Sequence, residues 1–177
     1  MQPRRDHSGE RDSAKRVQDR SLTAIDVEWL VSKDIKHVVD IEQTRLFDPW
    51  IESDIRSRVA TQATVAVVAR DRDGDIAGWC LYSAEPHGYL IIRLSVCIWR
   101  QRRGVASAIL DYIRERMEAS QTRFWVRCCV PEHLIEVGCV LLRTNGYISR
   151  SMFTDGGGPD HWQRPHAGVE MILRKGW

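Results

Sequence analysis

The stretch Leu94–Met117, LSVCIWRQRRGVASAILDYIRERM, decides how the rest of the chain is interpreted. It begins inside residues 89–98 (YLIIRLSVCI), which are apolar and branched with almost no polar interruption, as is typical of a strand buried on both faces. Further along, apolar side chains recur at the spacing of one helix face, at Val105, Ala108, Ile109, Tyr112, Ile113 and Met117. The pattern therefore predicts a buried strand, a basic turn and an amphipathic helix, in that order.

The turn between these elements, residues 101–106 (QRRGVA), contains a glycine and a small alanine beside two arginines. Gly104 and Ala106 let the backbone of the first helical turn approach a ligand closely. Free backbone N–H groups and the positive end of the helix dipole would face that ligand. The turn is therefore predicted to bind an anion, and a pyrophosphate in particular.

Length and composition favour one soluble domain: the chain has 177 residues, of which 43% are hydrophobic. Residues 1–20 are densely charged with few apolar side chains, so we expect a disordered tail there and a folded domain over residues 21–177. The net charge of +2 is too balanced to favour nucleic acid or a membrane surface as the main partner. Because no apolar run resembles a membrane span or a signal core, we expect a cytoplasmic protein.

The cysteine and histidine patterns argue against a disulfide framework and against a metal site. The five cysteines are an odd number and fall inside predicted strands or a helix: Cys80, Cys97, Cys128, Cys129 and Cys139. No C-x-x-C is present, and the six histidines show no ligand spacing with the cysteines. We expect buried, reduced thiols and no metal.

The rest of the chain predicts an α/β fold with a mixed sheet. Strands are predicted at residues 22–31, 64–70, 76–83, 89–98, 124–130, 147–153 and 169–173. Helices are predicted after Ser32 as N-cap, after Asp48 with Pro49 in the first turn, and over residues 105–117 and 132–144. Ile51 is expected to point inward in the second of these helices, and Val137 in the last. The glycine-rich residues 154–168 are predicted to form a flexible loop.

This order of elements resembles the GNAT superfamily of acetyl-CoA-dependent N-acetyltransferases over roughly 150 residues. The family signature Q/R-x-x-G-x-G/A after a strand is similar to Gln101-x-x-Gly104-x-Ala106 after Leu94-Ser95-Val96. The family implies an α/β fold with a mixed, mostly antiparallel sheet of six to seven strands and about four helices.

Shorter matches support the same resemblance. Residues 73–79 (DGDIAGW) are similar to a hairpin of the family, and residues 145–147 (NGY) to its x-G-F after the last helix. Residues 47–50 (FDPW) and 126–127 (VR) resemble the Rim-type branch, which acetylates the N-terminal α-amine of ribosomal proteins.

The resemblance implies that acetyl-CoA lies in a gap where the fourth and fifth strands separate. Backbone groups of the fourth strand would bind the pantetheine arm, and those of the basic turn would bind the pyrophosphate. The implied residues are Leu94, Ser95, Val96, Gln101, Arg102, Arg103, Gly104, Val105, Ala106 and Ser107. A primary amine would attack the acetyl carbon directly, in a monomer or a homodimer.

The acid and base of such a reaction are not evident. The family often uses a glutamate on the fourth or fifth strand and a tyrosine near the end of the last helix, but here Leu142 stands at the tyrosine position and neither strand has a carboxylate. Candidates that flank these elements are Glu85, His87, Glu132 and His133. A solvated loop residue or a first-turn acid is the ordinary interpretation of each. The thiols of Cys128 and Cys129 and a water chain are further alternatives.

Three alternatives remain open at this point. The acceptor is a protein N-terminus or, as the second choice, a small amine such as a polyamine or aminoglycoside. In the second alternative, the domain binds acyl-CoA but has no catalytic activity, which would account for the missing acid and base. In the third, Arg100, Arg102 and Arg103 form a nucleic-acid-binding patch, although Trp99 is the only aromatic residue interleaved with them.

Overall fold

A computed structural model of the chain describes residues 25–45, 47–153 and 167–176. The tail predicted at residues 1–20 and nearly all of the loop predicted at 154–168, with its two histidines, lie outside the described residues. The strands are β1 (Asp26–Trp29), β2 (Thr64–Arg70), β3 (Ile76–Glu85), β4 (Gly88–Val96), β5 (Trp125–Pro131), β6 (Ile148–Phe153) and β7 (Gly168–Arg174). The helices are α1 (Ile35–Gln43), α2 (Glu52–Val59), α3 (Val105–Ala119) and α4 (Ile135–Thr144).

The seven strands form one sheet in the order β1-β2-β3-β4-β5-β7-β6. Neighbouring strands run antiparallel, except that β4 and β5 are parallel. A parallel pair needs a long crossover connection, and α3 supplies it. The predicted mixed, mostly antiparallel sheet with four helices is confirmed.

The helices cover both faces of this sheet, two on each. α3 buries Val105, Ile109 and Ile113 in a core that also contains Cys139 and Leu142 of α4. On the opposite face, α1 and α2 pack against β2 and β3 around side chains of a second core, which include Ile35, Val38, Ile55, Val68 and Trp79. The sheet therefore separates two cores, one on each face.

Local sequence signals account for the tightest connection in the sheet. Gly74 adopts a φ of 83°, which glycine tolerates without strain, and its N–H donates to the carbonyl of Asp71 at 3.0 Å. The Asp71 carboxylate accepts N–H groups of Asp73 and Asp75, each at 3.1 Å. The hairpin predicted between β2 and β3 is confirmed.

The beginnings of α1 and α2 differ from prediction. Ser32 does not cap a helix, because a short 3-10 turn occupies Ser32–Asp34 and the Asp34 carboxylate instead accepts the N–H of Val31 at 3.3 Å. Pro49 precedes α2 rather than lying in its first turn. Ile51, predicted to point inward, is 63% exposed because it is the extended residue before the helix.

The last helix and two strands also differ from prediction. Residues Glu132–Leu134 form a 3-10 turn, so α4 begins only at Ile135. Its buried face follows Ile135, Gly138, Cys139 and Leu142, and this leaves Val137 71% exposed rather than inward. The first strand is shorter than residues 22–31 in the described part of the chain, and β4 ends at Val96 rather than at residue 98. No helix among the described residues has both the length and the apolar character needed to cross a membrane.

Candidate active site

The sheet opens between β4 and β5. The two strands pair only from Gly88 opposite Trp125 to Ile91 opposite Cys128, although both continue beyond that point. The register of β4 against β3 also shifts there, because Ile92 is an extra residue between Ile91 and Arg93. Within the described residues, the backbone groups of residues 92–96 on the β5 side therefore have no strand partner, as predicted for a gap between the fourth and fifth strands.

A cavity of about 530 Å³ occupies this gap. From the α1 and α2 side it is lined by Arg45, Phe47, Asp48, Pro49, Trp50, Asp54 and Arg58. From the opposite side it is lined by Gly138, Leu141 and Leu142 of α4, together with His133 and Leu134 before the helix. Residues 91–94 of β4 and 128–131 of β5 form the edges between these two walls. The cavity thus connects both faces of the sheet, which suits a site where two substrates meet from opposite sides.

The basic turn before α3 presents unpaired backbone donors. Arg102 and Gly104 have φ values of 61° and 81°, so the chain turns sharply before the helix. The first intrahelical hydrogen bond runs from the N–H of Ala108 to the carbonyl of Gly104 at 2.9 Å. The N–H groups of residues 105–107 therefore have no acceptor within the helix. A Cβ at Gly104 would meet no atom within 4 Å, so this position is open to a ligand.

Two contacts fix this turn beside the gap. A Cβ at Gly78 of β3 would lie 2.9 Å from both the Ser95 carbonyl oxygen and the Val105 side chain, so glycine is needed there for α3 to approach the sheet. At the other side, Asn145 donates from Nδ2 to Ser107 Oγ at 3.2 Å and thereby joins the start of α3 to the end of α4.

The predicted cofactor residues fall into two groups in the structure. Leu94 lines the cavity, Ser95 is buried beside it, and Val96 packs on the α3 side. Residues 101–104 are exposed, Val105 is buried, and Ala106 and Ser107 are half-buried. The turn lies outside the walls of the cavity itself. Arg100 is ion-paired with Asp71 at 2.8 Å, which removes one charge from the alternative nucleic-acid patch.

The four acid and base candidates are separated by the fold. Glu85 and His87 lie at the β3–β4 turn, at the end of β4 that pairs with β5 and so away from the gap. Glu132 is exposed and is not a cavity residue, whereas His133 lines the cavity and packs against Phe47 with ring centroids 4.7 Å apart. Leu142 is buried at the cavity wall, so the position expected for a tyrosine carries no titratable group.

A buried carboxylate that sequence reasoning missed stands behind the cavity. Glu42 of α1 is fully buried, and its Oε1 accepts hydrogen bonds from Trp79 Nε1 at 3.0 Å and from Ser95 Oγ at 2.6 Å. Its Oε2 accepts the N–H of Trp50 at 3.2 Å and an ion pair from Arg93, whose Nε lies at 3.0 Å. Burial disfavours the Glu42 carboxylate, but Arg93 and, more weakly, Ser95 and Arg45 outweigh it and hold its pKa below the ordinary value.

This network extends to a second arginine. The Nη1 of Arg45 donates to the hydroxyl of Ser95 at 2.7 Å, and that hydroxyl donates to Glu42. A signal for Glu42 exists in the sequence, since it follows Ile35 by seven residues and Val38 by four and so falls on the apolar face of α1. A charged residue on such a face requires buried partners, and the structure supplies them.

The two thiols at the β5 edge of the cavity are weak acids. Desolvation, with a smaller contribution from neighbouring groups, raises the pKa of Cys128 to about 12 and that of Cys129 to about 11. Both thiols are therefore protonated and unreactive at neutral pH.

The fold is similar to that of many solved structures, three of which are described here. The ribosomal-protein-S18-alanine N-acetyltransferase from Escherichia coli is similar with a TM-score of 0.70 and 15% identity, covering 85% of this chain and 94% of that chain. A GNAT superfamily phosphinothricin acetyltransferase from Sinorhizobium meliloti, in complex with acetyl-CoA, has a TM-score of 0.66 and 16% identity, covering 85% and 88%. A spermidine N-acetyltransferase from Vibrio cholerae, in complex with CoA and spermine, has a TM-score of 0.67 and 10% identity, covering 85% and 95%.

No family model and no curated protein sequence matches the chain. Identities of 10–16% show a shared fold rather than a shared substrate. In each of these three comparisons the likeness covers 85% of this chain. This chain therefore has the fold of the GNAT acetyltransferases, as the sequence resemblance implied.

Proposed function

We propose that this chain is an N-acetyltransferase that moves an acetyl group from acetyl-CoA to a primary amine. The observation that carries the proposal is the cavity through the gap between β4 and β5, beside a turn with unpaired backbone N–H groups. The acetyl-CoA and CoA complexes of two proteins with this fold support the choice of co-substrate.

The residues present fit acetyl-CoA. Backbone N–H groups of residues 102–107 would hold the pyrophosphate, assisted by the positive end of the α3 dipole and by Arg102 and Arg103. The unpaired backbone of β4 at Leu94, Ser95 and Val96 would bind the pantetheine arm in place of the missing strand partner. This arrangement brings the thioester into the gap, where the cavity is open to the α1 and α2 side.

The gap then provides the two largest contributions to rate. The amine nitrogen attacks the acetyl carbon, the carbon–sulfur bond breaks, and negative charge develops on the thioester oxygen before the thiolate leaves. A backbone N–H of β4 aimed at that oxygen stabilises this charge by about 3 kcal/mol. Holding the amine against the thioester also makes the encounter effectively intramolecular.

Two protons must move in this reaction. We assign the removal of the ammonium proton to His133, directly or through water, because it is the sequence candidate that lines the cavity. Cys128 also lies at the cavity, but a thiol with a pKa of about 12 is too weak an acid to protonate the departing thiolate efficiently. Because a thiolate is a stable anion in water, we propose that CoA leaves as the thiolate and takes up a proton from solvent after release.

The first choice of acceptor is a protein N-terminal α-amine, and the second is a small amine. The similarity to the ribosomal-protein-S18-alanine N-acetyltransferase supports the first choice. Proteins of the same fold that act on spermidine keep the second open. A silent acyl-CoA-binding module is the remaining alternative, since only His133 among the acid and base candidates lines the cavity.

Calorimetric titration with acetyl-CoA, followed by mass spectrometry after addition of pooled N-terminal peptides and small amines, tests the proposal. We expect acetyl-CoA to bind with one site per chain and acetylated product to appear with release of CoA. Binding without product from any amine would favour the silent module. Absence of binding would refute the proposed site.

A further inference from the structure

We propose that the acceptor carries a carboxylate close to its reacting amine, and that Arg45 binds this carboxylate as a specificity-determining residue. The inference rests on the proposed function, because it names the class of acceptor for the same cavity. The carboxylate has two possible sources: the main-chain carboxylate of a free amino acid, or an acidic side chain at the N-terminus of a peptide.

Arg45 has hydrogen-bond donors to spare at the wall of the cavity. It lies just after α1, is half-buried and lines the cavity. A guanidinium has five N–H donors, and the side chain of Arg45 makes one hydrogen bond within the described residues, to Ser95. No carboxylate in the described part of the chain lies within ion-pair distance of it. A partly desolvated cation with unused donors is suited to an anionic ligand.

Within the described residues, the groups around Arg45 act on it without a direct ion pair. Arg45 and Arg93 both act on the single carboxylate of Glu42, Arg93 by a direct ion pair and Arg45 through Ser95. Burial and the charge of Arg93 lower the pKa of Arg45, and Glu42 and the exposed Asp48 offset this only in part. A carboxylate bound at Arg45 would give this partly desolvated guanidinium a direct ion pair.

The rest of the same wall is also rich in guanidinium groups. Arg58 and Arg93 lie over the ring of Trp50, 4.4 and 4.6 Å from its centroid, and all three residues line the cavity. Two carboxylates, Asp48 and Asp54, line it too, but Asp54 caps the start of α2. A polyamine would bring several positive charges against three arginines, whereas an acceptor with its own carboxylate would be attracted to them.

The position of Arg45 fixes where the acceptor's carboxylate must be. Its hydrogen-bond partner Ser95 follows Leu94, which lines the gap where the thioester is proposed to lie. A carboxylate on Arg45 is therefore close to the reacting centre, as the α-carboxylate or the first side chain of an acceptor would be. Other anions, farther from the amine, do not meet this requirement.

Matched acceptor pairs test the inference. Free amino acids are compared with their α-carboxamides, and tripeptides beginning with Asp or Glu with those beginning with Asn or Gln, by kcat/KM at saturating acetyl-CoA. In one of these two series, the acceptors that carry the carboxylate are expected to have a kcat/KM roughly 10- to 100-fold higher than that of their neutral counterparts. The series that shows the preference identifies the source of the carboxylate.

Variants of Arg45 assign the preference to this residue. In Arg45→Met the preference is expected to fall to about twofold, through a rise in KM with little change in kcat, while Arg45→Lys retains part of it. Arg56→Met is the matched control, because Arg56 is an exposed cation of α2, paired with Glu52 and outside the cavity lining. An unchanged dissociation constant for acetyl-CoA shows that the variants are folded.

The outcomes separate the inference from the proposed function. Equal or better use of the neutral acceptors, absence of transfer to every carboxylate-bearing acceptor, or a preference that persists in Arg45→Met would overturn the inference. Transfer to neutral amines would nevertheless leave the acetyltransferase proposal intact. Failure to bind acetyl-CoA at all would refute that proposal.

Discussion

Replacing Glu42 by glutamine is expected to destabilise the fold severely. The carboxylate is fully buried and accepts hydrogen bonds from four residues, two on each oxygen: Trp79 and Ser95 on one, Trp50 and Arg93 on the other. A glutamine retains one acceptor oxygen, and its NH₂ group faces the Trp79 N–H in one orientation and the Trp50 N–H and Arg93 in the other. The substitution also removes the charge opposite Arg93.

The magnitude follows from the loss of a buried partner. Removing one member of a buried ion pair typically costs about 3–5 kcal/mol, because the other charge stays buried without compensation. For a chain of this length, such a loss lowers the melting temperature by roughly 6–20 °C. Urea denaturation and calorimetry at pH 7 measure both quantities, with Glu118→Gln on the exposed face of α3 as the control.

A double variant tests whether the charge is the cause. If Arg93 is destabilising once Glu42 is neutral, then Glu42→Gln with Arg93→Met loses less stability than the sum of the two single variants.

The dependence of stability on pH gives a second check. Because the pKa of Glu42 is lower in the folded protein than its ordinary value of 4.5, the carboxylate contributes fully to stability above about pH 4.5. This contribution is lost as the pH falls through the pKa of the folded protein. The stability of Glu42→Gln should lack this dependence on acid. A loss below about 1 kcal/mol at pH 7, or strict additivity, would refute the reasoning.

Three further predictions concern other parts of the molecule. Gly104→Glu and Gly104→Gln strain the same backbone, which has a φ of 81°, but only the glutamate would repel a pyrophosphate. Calorimetry should show an affinity for acetyl-CoA that is roughly tenfold lower in Gly104→Glu than in Gly104→Gln. Equal affinities would contradict the proposed pyrophosphate site. His133→Gln should lower kcat roughly 100-fold with unchanged binding of acetyl-CoA, and an unchanged pH–rate profile would exclude it as the base. The thiols of Cys80 and Cys128 remain protonated in the folded protein above pH 9, whereas they ionise in the unfolded chain. Urea denaturation should therefore show a free energy of unfolding that falls by about 1.4 kcal/mol per pH unit for each thiol that is fully ionised in the unfolded state. A free energy of unfolding that does not change with pH would contradict the burial of these thiols.

The elements that local patterns predict best are those whose energetics are local. β2 begins and ends as predicted at Thr64 and Arg70, because its continuous apolar residues end at the hairpin whose turn chemistry Asp71 and Gly74 supply. The basic turn before α3 was likewise predicted from Gly104 and its neighbours. In each case the residues that decide the conformation are within a few positions of one another.

The errors occurred where the side chain's environment depends on where an element begins. The pattern predicts Ile51 as the first inward residue of α2, but the helix begins one residue later and Ile51 remains extended. It also predicts Val137 inward, together with Gly138 and Leu141 or Leu142, in a helix that runs from residue 132. Because the 3-10 turn at Glu132–Leu134 precedes α4, the helix buries Cys139 and Leu142 and leaves Val137 exposed. A short turn at a helix end depends on tertiary packing, which the apolar pattern does not contain.

The candidate site shows a stronger limit of the same kind. Glu42 and Ser95 are 53 residues apart in sequence, and Arg45 and Ser95 are 50 apart. Neither β4 nor β5 carries a carboxylate, and Glu42 lies behind the cavity on a helix that no motif connects to those strands. What the sequence did contain was a charged residue on the apolar face of α1, and this is a local contradiction that only a distant partner can resolve.

A purely structural role does not explain the composition of this cluster. To hold α1 against β4, one arginine on the Glu42 carboxylate is sufficient, and apolar residues of similar volume would often serve as well or better. A second guanidinium, from Arg45, adds desolvation cost and repulsion from Arg93, which Glu42 and Asp48 offset only in part. A half-buried guanidinium without a direct ion pair is suited to an anion at the cavity wall. Arg45 is therefore better understood as part of a binding site, with Glu42 and Ser95 as the groups that position it for its ligand.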